Sequence, residues 1–177
     1  MDLKLFYHLF KSSLMERFAD EDFRIIYNNG GRYYTEQIQT IMKKLIGDEL
    51  SYHPEYFTID YTWWKEQIHN SEKKVNFYEW ELIIAVEHEN DYRDWTYEVE
   101  KLDSIKCPLK IVIGYVNKKD NNEVDLIKKQ AQLLKKLDSN EEFGIILLDH
   151  SLNSNKKIPD ISCYLIKEKD EVVLISE

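Results

Sequence analysis

Asp60, Glu87, Glu89, Glu98 and Lys101 are the residues whose types and spacing suit metal-assisted chemistry. Glu87 and Glu89 close the apolar run Leu82 to Val86, and strand alternation puts both on one face with Ile83 and Ala85. Two carboxylates at the end of an apolar strand are costly unless a cation compensates them. A hard divalent ion held through carboxylate oxygens and water would do so. An ion so held can activate water and clamp a phosphoryl oxygen. Asp60 lies at the end of a shorter strand-like stretch, Tyr56 to Tyr61, and would approach from the neighbouring strand.

The segment after Glu89 reads as a helix to about Ile105, with Asp91 or Asp94 as its cap and Pro108 barring continuation. Trp95, Val99 and Leu102 form its apolar stripe. Glu98 then faces inward, and Lys101 sits at the edge of the stripe beside it. A lysine there would orient an attacking water or neutralise charge developing on a phosphate. Taken singly, each residue has a plainer reading. Asp60 is a common turn residue, Glu87 and Glu89 suit a solvent-facing strand end, and Glu98 with Lys101 suits an i, i+3 surface pair. His88 alternates to the opposite face, so packing or hydrogen bonding is expected of it rather than metal ligation. Trp63, Trp64, Trp80 and Trp95 are expected in the core or at its rim.

The elements that must position these residues follow from periodicity. Leu3 to Phe18 reads as a helix, with Leu5, Leu9, Phe10, Leu14 and Phe18 at helix spacing. Phe23 to Tyr27 is an apolar run of either type, and Asn28 to Gly31 is a loop. Thr35 caps a helix to about Ile46, with Ile38, Ile41, Met42 and Leu45 as its stripe and Gly47 as its stop. Strands are expected at Tyr56 to Tyr61, Phe77 to Glu89, Leu109 to Val116 and Phe143 to Leu148, and a hairpin at Ile161 to Ile166 and Val172 to Ile175. Lys65 to Asn76 and Asn117 to Asn122 read as polar connections. Glu123 to Leu137 reads as an amphipathic helix. This is an α/β arrangement, a mixed central sheet flanked by helices. No repeat or long linker divides the 177 residues, so a single domain, 1–177, is expected.

Net charge is −9, which argues against a nucleic-acid coat and against an anionic membrane surface. The distribution is uneven. Asp48 to Glu100 carries 14 acidic and 4 basic residues, whereas Lys101 to Lys136 carries 9 basic and 4 acidic. That pattern suits a metal site beside a phosphate-binding surface, or simply two solvated faces. Cys107 and Cys163 make no disulfide framework. No run is apolar enough to span a membrane, and Met1 to Tyr7 lacks the features of a signal peptide. A cytoplasmic protein is the expectation.

Ile59-Asp60, 26 intervening residues, then Glu87-His88-Glu89 followed by a helix and a strand, resembles the PD-(D/E)XK phosphodiesterases, the restriction-endonuclease-like superfamily. The resemblance covers about Thr35 to Val116 and the helix after it. It implies an αβββαβ core, here with an extra N-terminal helix and a C-terminal hairpin. Asp60 matches the family's first acid and Glu87 its second, and together they would bind Mg²⁺ or Mn²⁺. No proline precedes Asp60, and Glu89 stands where the family usually carries lysine. Lys101 is the candidate for a lysine moved to the following helix. Glu89 or Glu98 would complete the metal shell. The implied activity is hydrolysis of a nucleic-acid phosphodiester bond in DNA or RNA, with lysines between Lys106 and Lys136 receiving the backbone. The alternative is a catalytically inactive nuclease fold that binds a protein partner, in an immunity-like or anti-restriction role. A homodimer is a further possibility.

Overall fold

The structure, a computed structural model, describes residues 1–29, 32–66, 80–89, 95–116, 122–134, 140–149, 158–168 and 171–175. Helix α1 (Leu3–Phe18) buries Leu3, Phe6, Tyr7, Phe10, Leu14 and Phe18, one residue every three or four. Asp2 caps it, accepting from the Leu5 N–H at 2.8 Å. The run left open between helix and strand is helical. In α2 (Glu21–Asn29), Phe23 and Tyr27 lie one turn apart and are both buried. Helix α3 (Arg32–Leu45) starts before Thr35 because Tyr34 belongs to its buried stripe, one turn ahead of Ile38.

The largest departure from expectation is at Tyr56 to Tyr61. One strand was expected there, and the chain instead turns back on itself. Strands β1 (Ser51–Tyr56) and β2 (Ile59–Glu66) form an antiparallel hairpin closed by Phe57 and Thr58. Both turn residues have positive φ, 48° and 66°. A two-residue turn of this kind normally takes Asn-Gly or Asp-Gly, so an aromatic followed by a β-branched residue reads as strand.

The remaining elements are β3 (Trp80–His88), α4 (Thr96–Asp103), β4 (Leu109–Val116), α5 (Glu123–Ala131), β5 (Glu142–Asp149), β6 (Ile161–Glu168) and β7 (Glu171–Leu174). Helix α5 stops short of the expected end, and Leu137 lies outside the described residues, as do Asp91 and Asp94. The N-cap position of α4 is held by Trp95, with no side-chain cap.

All seven strands form one sheet in chain order. β1 to β3 run antiparallel, β3 to β5 parallel, and β5 to β7 antiparallel. Parallel neighbours need crossovers, and α4 and α5 supply them. Two crossovers of the same hand place both helices on one face, where Val99, Leu102, Ile127 and Ala131 join Ala85, Val112 and Ile145 in one core. The other face packs against α1, α2 and α3 through Tyr61, Trp63, Ile84, Val86, Ile111 and Ile113. β4 lies at the centre and every one of its residues is buried, as continuous apolarity dictates for a strand covered on both sides. The mixed sheet flanked by helices is therefore as expected. Among the described residues no helix is long and apolar enough to cross a membrane.

Candidate active site

The register of β2 on β3 pairs Tyr61 with Val86. Continued by one residue, it sets Asp60 alongside Glu87, at the start of one strand and near the end of the other. The His88 backbone N–H donates to Asp60 Oδ2 at 2.8 Å and fixes that carboxylate. Glu87 is buried, 1% exposed, on the face that carries α4. Asp60 and Glu87 each act on the other's protonation.

Helix α4 brings the cation. Trp95 and Gly114 set its entry over β4, since a Cβ at Gly114 would stand 3.0 Å from the Trp95 ring. Val99 and Leu102 anchor the helix, and Lys101 lies beside them. Its Nζ is 2.8 Å from Glu87 Oε1 and donates to the Thr58 carbonyl at 3.0 Å. It also lies over the Tyr97 ring, 5.2 Å from the centroid. One ammonium thus ties α4, the end of β3 and the β1–β2 turn together.

The electrostatics show what this crowding costs. Burial raises Asp60, opposed by the His88 N–H, the Lys101 charge and the Glu87 hydrogen bond. Burial likewise pushes Glu87 up to about 8, with Lys101 opposing and the Asp60 charge adding. Burial also raises Glu98, and the Glu89 and Asp60 charges add to that rise. All five candidate residues therefore act on one another at one end of the β2–β3 pair. The arrangement favours a proton or a cation between Asp60 and Glu87.

Among the described residues no group of three or more His, Cys, Asp or Glu side chains is arranged to hold a metal ion. Glu89 and Glu98 contribute charge nearby without forming a cage with the other two. Asp60 and Glu87 nonetheless fit Mg²⁺ or Mn²⁺ in their donor chemistry. Magnesium is commonly held by one or two carboxylates, with water filling the remaining positions, and the buried Glu87 beside the partly buried Asp60 supplies such a pair.

Behind the site His88 points into the opposite face, as alternation requires. Its Nε2 lies 2.7 Å from the Tyr115 hydroxyl, which donates to the Tyr34 hydroxyl. Burial lowers the imidazole to about 4, so it is neutral. This buried line, together with the Phe57–Thr58 turn and Tyr97, was not foreseen as part of the site. His88 was visible in the sequence, but its partners come from α3 and β4, far along the chain.

One expectation about the surroundings changes. Lys110, counted among the backbone-binding lysines, is 2% exposed and pairs with Glu141 at 3.2 Å. A cation held inside the fold cannot meet a phosphate. Lys106, Lys128 and Lys129 are exposed, whereas Lys118, Lys119, Lys135 and Lys136 lie outside the described residues. Trp63 and Trp95 are core, and Trp64 and Trp80 are half-buried at the rim.

Comparison of the chain with protein families, with curated proteins and with solved structures gives no match.

Proposed function

We propose that this chain is a metal-dependent phosphodiesterase of the PD-(D/E)XK, restriction-endonuclease-like kind, hydrolysing a nucleic-acid phosphodiester bond. The observation that carries the reading is the meeting of Asp60, Glu87 and Lys101, from β2, β3 and α4, in one half-enclosed cluster. The succession α3–β1–β2–β3–α4–β4 supports it, being helix, three strands, helix, strand.

Asp60 and Glu87 would hold Mg²⁺ or Mn²⁺, with Glu89 or Glu98 reaching it through water. When bound, the ion would supply Lewis acidity toward a phosphoryl oxygen and lower the pKa of a coordinated water. The chain's own residues do the rest. The His88 N–H holds Asp60 in orientation, and the Thr58 carbonyl holds Lys101 beside Glu87. From there the ammonium would stabilise negative charge developing on the phosphate or orient the attacking water. Lys101 does from the helix what a lysine two residues after Glu87 would do from the strand.

The second reading, an inactive fold that binds a basic protein partner, draws on one observation: Lys101 already stands 2.8 Å from Glu87 Oε1, where a metal would have to bind. Cleavage separates the two. Wild type is expected to cut plasmid or single-stranded DNA or RNA only with Mg²⁺ or Mn²⁺. Asp60→Ala and Lys101→Met are expected to lose about 10²–10³-fold in rate. Absence of metal-dependent cleavage, or cleavage unchanged in Asp60→Ala, would transfer the reading to the inactive fold.

A further inference from the structure

The turn that carries Thr58 to Lys101 is built from the wrong residues for its backbone. Glu55, Phe57 and Thr58 have φ of 54°, 48° and 66°. For a bulky or β-branched residue this region is costly, and such strain clusters where function requires it. Burial does not compensate at Phe57, which is 80% exposed. A benzyl ring is thus held in an unfavourable backbone state and presented to solvent.

Its position gives it a use. Phe57 adjoins Thr58, whose carbonyl takes the Lys101 ammonium. The same ammonium lies over the ring of Tyr97, which is 66% exposed. Two exposed rings are therefore linked to the Asp60–Glu87–Lys101 cluster through Lys101, Tyr97 directly and Phe57 through the adjoining Thr58. Behind Phe57 the aromatic surface continues: Tyr56 meets it at 4.6 Å between centroids, and Trp64 meets Tyr56 at 4.9 Å.

We infer that Phe57 and Tyr97 stack against unpaired bases next to the scissile phosphate, so that the substrate of this site is single-stranded nucleic acid. The inference rests on the phosphodiesterase reading for its location and goes beyond it in naming the substrate class. Stacking tolerates any sequence because every base has a π-face. It supplies attraction that the carboxylates acting on this site, Glu55 on Asp60 and Glu89 on Glu98, do not. Duplex DNA, with one phosphate per about 1.7 Å of axis, is repelled most by those carboxylates and buries its base faces. An unpaired strand offers base faces and can splay them.

Phe57→Gly tests this with little risk to the fold, because glycine is at ease at positive φ. The probe is a fluorescein-labelled single strand of about twelve nucleotides, enough to cross one such site, and the same strand annealed to its complement. Anisotropy is read in Ca²⁺ and again in EDTA, and thermal unfolding is followed on the same samples. Wild type is expected to bind the single strand more tightly than the duplex. Phe57→Gly and Tyr97→Ala are each expected to weaken single-strand binding by about 5- to 150-fold. Phe57→Gly should unfold at a temperature equal to or above wild type, whereas Phe57→Tyr should retain binding.

No single-strand binding by wild type, or binding unchanged in both ring variants, would overturn the inference. So would a change in self-association or in capture of a basic protein without loss of oligonucleotide affinity, which would make the turn a protein contact. Cleavage is assayed separately, so the two readings fail separately. Asp60-dependent cleavage indifferent to the rings removes the stacking role alone. Ring-dependent binding without turnover in any metal removes the catalytic reading alone.

Discussion

Glu87 is the residue on which the chemistry turns. A carboxyl with a pKa near 8 in the folded chain, against 4.5 as its ordinary value, is protonated at neutral pH unless a cation displaces the proton. Below about pH 4.5 both folded and unfolded chains carry that proton, and its contribution to stability is fully present. As pH rises toward 8 the unfolded chain ionises first, so the folded state loses stability across that window. Asp60, also raised, acts in the same direction. Urea unfolding is therefore expected to show wild type losing stability from pH 5 to pH 8. Glu87→Gln, which mimics the neutral acid, should lose distinctly less. Equal slopes in the two proteins would contradict the assignment. In the sequence, Asp60, Glu87, Glu98 and Lys101 were legible because each sits at a strand end or at the edge of a helix stripe. Phe57, Thr58 and the Tyr115–Tyr34 support were not. A hairpin turn without Gly, Asn, Asp or Pro gives no turn signal, and residues 34, 88 and 115 meet only through the sheet and the helix packed on it.

Elements position the site through close packing at two glycines. Gly114 makes room for the Trp95 ring at the entry to α4, and Gly144 makes room for Leu3 at the start of α1. A Cβ at Gly144 would collide with both Leu3 methyl carbons. The Leu3 N–H is also held by the Glu142 carboxylate at 2.7 Å, so α1 has little freedom to retreat. Gly144→Ala is therefore expected to destabilise by about 1–3 kcal/mol, read as a lower thermal midpoint. An unchanged midpoint would show that α1 is loosely seated. Strands and helices with strong periodicity appeared in the sequence nearly as they stand in the fold: α1, β3, β4, β5 and the β6–β7 hairpin. Those that diverged did so for local reasons. The tyrosines at the start of α3 lay between the expected loop and the Thr35 cap and were given to neither, and aromatic residues around Phe57 looked like uninterrupted strand.

Across the whole molecule, charge decides how a polyanion can be met. Among the described residues, the basic stretch from Lys101 to Lys136 is not one exposed surface. Lys110 is buried against Glu141, and Lys101 is committed to Glu87 and Thr58. In that stretch Lys106, Lys128 and Lys129 are the exposed lysines among the described residues, so binding of nucleic acid along it is expected to depend only weakly on salt. At about −0.7 per phosphate for single strands, the slope of log K against log salt is expected to be shallower than about −3. A slope near −6 would reveal a long basic track instead. The mixed sheet flanked by helices was legible as a class, because alternating strands and helices leave few ways to bury both faces. The uneven usefulness of the lysines was not, since burial of Lys110 depends on where Glu141 lands.

The most direct test of the central claim is the proton balance of metal binding. Mn²⁺ is titrated calorimetrically into wild type and Glu87→Gln at pH 7, in two buffers of different ionisation enthalpy. If Asp60 and Glu87 are the metal site, binding to wild type displaces the proton held on Glu87. The buffer dependence should then report release of about one proton, and Glu87→Gln should bind far more weakly with no release. No binding to wild type at millimolar metal, or binding without proton release and unaffected by Glu87→Gln, would contradict the account.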